Sequence, residues 1–236
     1  MSEQIPEPPE VAREVFSGDA WSRAEEFARF LAGPGVVRGL LGPREVPRIW
    51  DRHLLNCAVV AEAVPADVRL VDIGSGAGLP GLVLAIVRPD IRVTLLEPLL
   101  RRTTFLQECV DALGLGNVEV LRGRAEEVAG RREFDVACAR AVAPLDRLLK
   151  WALPLLREGG ELLALKGERA AGELADAEAQ LRASGVQTAE LVSVGHGKVE
   201  PPATLIRVVA GRPPGKARQA ARGKDRASRA KRTRHQ

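Results

Sequence analysis

The chain reads as an α/β protein: a mostly parallel seven-stranded sheet, a helical segment ahead of it and a basic tail behind it. Three observations predict this. From residue 69 onward, short apolar runs alternate with longer stretches of helical period, the pattern of crossovers onto a parallel sheet. The first run, Leu70-Val-Asp-Ile73, breaks into Gly74-Ser-Gly-Ala-Gly-Leu-Pro-Gly81 and resumes as Leu82-Val-Leu-Ala-Ile-Val87, which is strand, tight turn and helix start. The last two apolar runs lie too close together for a crossover helix, so they add to one edge antiparallel.

In chain order, residues 10–64 are expected to be helical. Ile49, Trp50, His53, Leu54, Cys57, Ala61 and Val64 share one helical face, with Pro47 and Pro65 as boundaries. Strands are expected at 69–73, 91–96, 117–121, 134–139 and 160–165, and helices near 79–87, 99–113, 144–157 and 168–184. The closing runs are 189–194 and 203–209. The expected division is a helical extension over 1–65, a ligand-binding core over 66–210 and a tail over 211–236.

The net charge of +4 divides unevenly. The tail holds ten Lys/Arg and one Asp, a balance of +9, which leaves −5 on the rest. Without apolar periodicity it is expected to be disordered. Such a segment suits nucleic acid through counterion release, and serves equally as a solubilising extension. No apolar run approaches the ~20 residues of a membrane span, and the acidic, proline-rich opening is unlike a signal peptide. Cys57, Cys109 and Cys138 are far apart and sit in apolar segments, as reduced core thiols do in the cytoplasm. No His/Cys/Asp/Glu cluster has metal-ligand spacing, so no metal is expected.

The glycine turn is the candidate ligand site. Glycines at 74, 76, 78 and 81 permit positive φ and remove side chains that would keep a ligand away. Asp72 precedes them, and Glu97 ends the next strand, where a carboxylate can hold a ribose diol. Gly76-Ala-Gly-Leu-Pro-Gly81 also satisfies the dinucleotide pattern, but Asp72 would repel a pyrophosphate. A carboxylate there suits a cationic amino-acid ligand instead, which points to S-adenosylmethionine.

Ligands in such sheets sit at the carboxyl ends of the strands. The third strand ends in Arg122-Gly-Arg124-Ala125-Glu126, placed to read an adenine rim. The fourth ends in Ala139-Arg140-Ala141, which puts Arg140 at the cleft mouth, and the fifth ends at Lys166. The fourth strand lacks the Asn/Asp-Pro-Pro-aromatic segment used to methylate exocyclic amines, and Cys138 lies inside a strand rather than in a nucleophile loop. An acceptor that needs no deprotonation remains, such as guanine N7, with in-line positioning as the catalysis. His53 could contact RNA or cap the cofactor cleft, but its apolar helical face favours a core histidine; Trp21 and Trp50 could stack on a base, but in a chain with eight aromatics they read as core. His196 falls in a turn with no identifiable partner.

Asp72–Gly81, Arg88-Pro-Asp90, Arg124–Glu127, Ala139-Arg-Ala141, Ala164-Leu-Lys-Gly167 and Trp50–Asn56 closely resemble the bacterial small-subunit rRNA guanine-N7 methyltransferases, historically called glucose-inhibited division protein B. The resemblance spans roughly residues 15–210. It implies a class I S-adenosylmethionine-dependent, Rossmann-like fold and methylation of one guanine N7 in the decoding-region (530) loop of 16S rRNA. The partner would be the small ribosomal subunit or its assembly intermediate, met by a monomer. By the family pattern Gly74, Leu79, Ala125, Glu126 and Arg140 contact the cofactor, with Asp72, Gly76, Gly78 and Glu97 completing that site. Arg124 and Lys166 would lie around the active cleft, facing the rRNA, while Arg140 at the cleft mouth is also suited to guanine O6 or phosphate. Many members carry an arginine in the last hairpin, where this chain has Pro201-Pro-Ala-Thr204. Two other functions share parts of the pattern: methylation of a small molecule, and ribosome-assembly binding without catalysis.

Overall fold

The structure, a computed structural model, describes residues 5–211, so the basic tail lies outside the described residues apart from Gly211. The expected continuous helical stretch over 10–64 is instead a chain of short pieces. Helices α1 (Glu10–Val15) and α2 (Asp19–Phe30) come first, and a wide π turn over Leu31–Gly35 takes in Pro34. A 3₁₀ segment, Pro43–Arg48, leads into a π-type turn, Ile49–Leu55, then α3 (Asn56–Ala58) and a 3₁₀ turn, Val59–Ala63. Prolines 34, 43 and 47 explain the breaks, because each lacks the N–H that an α-helical ladder needs. The apolar face survives the change of pitch: Ile49, Trp50, His53, Leu54 and Cys57 are all buried. Trp50 is buried and stacks on the half-buried Trp21 at 5.6 Å between ring centroids, so both tryptophans are engaged in packing within the chain.

Strand β1 (Arg69–Ile73) opens the sheet. It is followed by α4 (Gly81–Val87), β2 (Arg92–Glu97), α5 (Leu100–Leu113), β3 (Val118–Arg122), α6 (Ala125–Val128) and β4 (Phe134–Arg140). Then come α7 (Leu145–Ala152), β5 (Leu156–Lys166), α8 (Ala170–Asp176), α9 (Glu178–Ala183), β6 (Thr188–Val194) and β7 (Ala203–Val209). The expected helix 144–157 stops at Ala152, since Pro154 turns the chain into a 3₁₀ turn and β5 begins four residues earlier than expected. Helix α5 ends on Gly114 in the left-handed region, the usual glycine stop.

The sheet order is β3-β2-β1-β4-β5-β7-β6. Strands β1 to β5 pair parallel, and β7 runs antiparallel between β5 and β6, so it is the one reversed strand. Because β1 pairs with both β2 and β4, the chain leaves it in two directions and opens a crevice at its carboxyl end. One apolar cluster joins the N-terminal helices, α4 and α5 to one sheet face; a second packs α7 to α9 on the other. Among the described residues, no helix is long and apolar enough to cross a membrane.

Candidate active site

The glycine turn fills the crevice at the end of β1. Gly74, Gly76 and Gly78 all have positive φ, which only glycine adopts without strain. Their tasks differ. Gly74 and Gly76 line a cavity of about 670 Å³. Gly78 does not; a Cβ there would stand 2.4 Å from the Leu82 side chain, so its bareness lets the turn close on α4.

Asp72 requires a similar correction. It is fully buried and does not line the cavity. Its Oδ2 accepts the Gly81 N–H at 3.0 Å, its Oδ1 accepts from the Cys138 thiol at 3.6 Å, and its backbone carbonyl accepts from Ser75 Oγ at 2.9 Å. The strand end faces its carboxylate into α4, so it braces the turn from beneath rather than touching a ligand. Burial pushes its carboxyl up to about 6, against a partial downward pull from those hydrogen bonds. Between pH ~4 and ~6 the folded chain therefore holds a proton that the unfolded chain releases, and this contribution to stability is lost as pH rises. Asp72→Asn should gain on the wild type by on the order of 2–3 kcal/mol between pH 4 and pH 7. Denaturant titrations at the two pH values measure this, and a pH-independent difference would mean an ordinary carboxyl.

Glu97, at the end of β2, is the acid that does face the cavity. It is buried, and its carboxylate accepts the Gly76 N–H at 3.1 Å and the Leu99 N–H at 3.1 Å, with Arg102 Nη1 at 3.5 Å. A carboxylate offers about four lone pairs, so acceptor capacity remains for a vicinal diol. Ile73, Leu79, Leu96, Pro98 and Ala125 supply apolar walls, and Gly123, Arg124 and Glu126 continue them around the start of α6. Among the described residues, the one buried side-chain N or O atom without a hydrogen bond is Arg102 Nε, and Arg102 lines this cavity. S-adenosylmethionine fits this donor set. It brings a diol for Glu97, acceptor atoms for Arg102 and an adenine for the apolar walls, and the volume lies within the ~300–1,000 Å³ of small-ligand sites. Glu97→Ala should weaken its binding roughly 10- to 100-fold, the scale of a charged hydrogen-bond partner. Isothermal calorimetry checks this, and unchanged affinity would remove Glu97 from the site.

Arg140 ends β4 at the cavity mouth. Its Nη2 lies 2.8 Å from His53 Nδ1 and its Nη1 donates to Cys57 Sγ at 3.1 Å. The next residue, Ala141, is one of two non-glycine residues with positive φ among the described residues, at 53°. Such backbone costs of order 1–3 kcal/mol and collects at functional sites. Here it turns the chain so that Val142 packs over Gly74, where a Cβ would meet it at 3.0 Å.

A second cleft, of about 1450 Å³, lies on the other side of Arg140, Ala141 and Val142, which line both spaces. Its lining is mixed in charge: Arg48, Arg52, Lys166, Arg169 and Lys198 join Arg140, against Asp51, Glu168, Glu173, Asp176 and Glu200. Lys166 belongs here and not to the first cavity, and its ammonium is engaged: it donates to Glu173 at 2.6 Å and to the Ala143 carbonyl at 2.9 Å. It ties the turn after β4 to α8. Arg124 is exposed at the rim of the first cavity. Arg207 pairs with Glu161 and Glu190 across the sheet, consistent with giving it no site role.

The sequence offered His53 at the cleft as the lesser of two readings, and the structure sets it against Arg140. Arg102 and Glu45 were not singled out: Arg102 was legible in principle, since a buried strand-end acid needs a cation, whereas Glu45 meets His53 from a separate segment whose turns are not α-helical. His196 follows Gly195, where Glu62 accepts the backbone N–H at 2.9 Å, and it lines neither cleft.

A family model described as rRNA small subunit methyltransferase G (GidB) matches residues 21–200. A protein of Thermobifida fusca named ribosomal RNA small subunit methyltransferase G is 59% identical over 201 residues, 85% of this chain and 84% of its own length. One of the same name from Streptomyces coelicolor is 55% identical over 237 residues, covering 99% and 98%. Among solved structures, the apo form of the S-adenosylmethionine-dependent methyltransferase SibL aligns with a TM-score of 0.56 at 17% identity, over 79% of this chain and 62% of that one. A mutant of MtNAS in complex with S-adenosylmethionine aligns with a TM-score of 0.53 at 20% identity, over 82% and 72%. At such identities these two structures speak for the fold.

Proposed function

The chain belongs to the rRNA small subunit methyltransferase G family, and from that premise we propose that it methylates N7 of one guanine in the decoding-region (530) loop of 16S rRNA. It uses S-adenosylmethionine, and it meets the guanine in the small subunit or an assembly intermediate, in the cytoplasm. Few large apolar side chains are exposed among the described residues (Val37, Leu99, Leu100 and Leu191), which supports action as a monomer.

The observation that carries the reading is the shared wall. Arg140, Ala141 and Val142 stand between a nucleoside-sized cavity and a larger, strongly charged cleft. A flipped base in the second space would reach the first across a single turn of backbone. The cofactor, when bound, supplies a methyl group on a sulfonium, electrophilic without further activation. On this chain, Glu97 holds the ribose, Gly74 and Gly76 let the backbone approach, and Leu79, Ala125 and Glu126 enclose the base. The guanine N7 lone pair carries no proton, so the protein's task is orientation and no general base is needed. An arginine commonly forks onto guanine O6 and N7 together. N7 must stay open for transfer, which leaves Arg140 to donate to O6 or to phosphate. Arg124 offers a further phosphate contact, while Lys166 acts by holding the turn.

Purified protein, methyl-labelled S-adenosylmethionine and 30S particles lacking the modification provide the test. Label in 7-methylguanosine from the decoding-region fragment is the expected result. Label in another nucleoside would overturn the N7 assignment; none in any assembly intermediate, with cofactor binding intact, would favour a small acceptor or a purely structural role.

A further inference from the structure

Arg140 has no carboxylate partner among the described residues; an imidazole and a thiol hold it. A guanidinium carries donors only. The ring atom facing it at 2.8 Å, His53 Nδ1, must therefore present a lone pair, which makes His53 neutral with its one N–H on Nε2. That nitrogen lies 2.8 Å from Glu45 Oε2. The hydrogen bonds then run in one direction, Arg140 to His53 to Glu45, with Arg52 also on the Glu45 carboxylate at 3.4 Å. Burial and the neighbouring Arg140 charge hold the His53 imidazole well below its usual range, at about 4, in keeping with that state.

The arrangement solves a specific problem. A carboxylate placed directly on Arg140 would fix its direction but neutralise it. An intervening neutral imidazole fixes the direction and leaves the positive charge for a partner in the cleft. We propose that Glu45 and His53 are positioning residues for Arg140, aiming its guanidinium at the mouth shared by the two clefts. The inference rests on the reading of Arg140 as the acceptor-side residue, and it makes the N-terminal segment part of the active site.

The two amides that can replace histidine separate the roles. The Oδ1 of asparagine falls near Nδ1 and can still accept from Arg140; the amide of glutamine falls near Nε2 and keeps only the Glu45 contact. His53→Gln is expected to lower kcat/KM for the 30S acceptor by about 30-fold or more, with S-adenosylmethionine affinity within about twofold of wild type. His53→Asn should retain activity within about fivefold. Equal activity of the two variants, high or low, would overturn the proposal, as would a parallel loss of cofactor affinity in His53→Gln. A second measurement needs no substrate and stands if the rRNA reading falls. In ¹⁵N-histidine-labelled protein, with only three histidines to assign, His53 should show a protonated Nε2 and an unprotonated Nδ1 whose resonance shifts in Arg140→Leu. A protonated Nδ1, or no shift in that variant, would overturn it.

Discussion

Arg140→Leu should lower kcat/KM for the rRNA acceptor by about 10²- to 10³-fold, the scale of losing one preorganised charged donor at a reacting centre. Leucine keeps the volume and the strand, so the loss would be chemical rather than architectural. S-adenosylmethionine affinity should fall by no more than about tenfold, because Glu97, Arg102 and the glycine turn remain. The variant also removes the donor facing His53 Nδ1 and Cys57 Sγ, a buried-partner penalty of about 1–3 kcal/mol. Single-turnover methylation of 30S particles at saturating cofactor measures the first number, and calorimetry the second. Activity within threefold of wild type would place the acceptor elsewhere.

Gly81→Ala should be nearly as damaging by another route. An added Cβ would stand 2.4 Å from Leu95 Cδ2, 2.6 Å from Asp72 Oδ2 and 2.8 Å from Asp72 Cβ. Neither neighbour can yield, since β1 and β2 are interior strands and the Gly81 N–H is itself bonded to Asp72. Overpacking of this kind costs about 1–3 kcal/mol, and displacement of the turn should reduce cofactor affinity more than tenfold. Gly167→Ala is the control: it follows β5 with nothing within 4 Å of the added carbon and should be near neutral. Denaturant unfolding and cofactor titration of both variants decide the point, and two equally stable, equally competent proteins would contradict it.

The contrast between these residues shows what the sequence carried and what it did not. Strand positions were legible because β1, β2 and β4 are buried and punctuated by glycine and proline, and the single reversed strand was legible from the short spacing between β6 and β7. Glu97 was legible from its distance to the turn. Asp72 was misjudged because strand pleat decides which way a side chain at a strand end faces, and a one-residue difference in register swaps cavity for core. Lys166 stood out at the end of an apolar strand, yet its ammonium is held by Glu173 of the next helix, a pairing that depends on how α8 folds back. The helical reading of 10–64 placed the right face inward but the wrong pitch, since proline changes the hydrogen-bond ladder more than it changes which residues are apolar.

The three thiols give the fold internal clocks. Cys138 donates to Asp72 beneath the glycine turn and Cys57 accepts from Arg140 at the cleft mouth, while Cys109 is buried in α5 against the N-terminal helices. A buried thiol reacts with an alkylating reagent only when its surroundings open, so each labelling rate reports the free energy of opening at one address. Saturating the cleft with a nucleoside ligand should slow the first two clocks and leave the third running at its own pace, which would map how far the stiffening spreads.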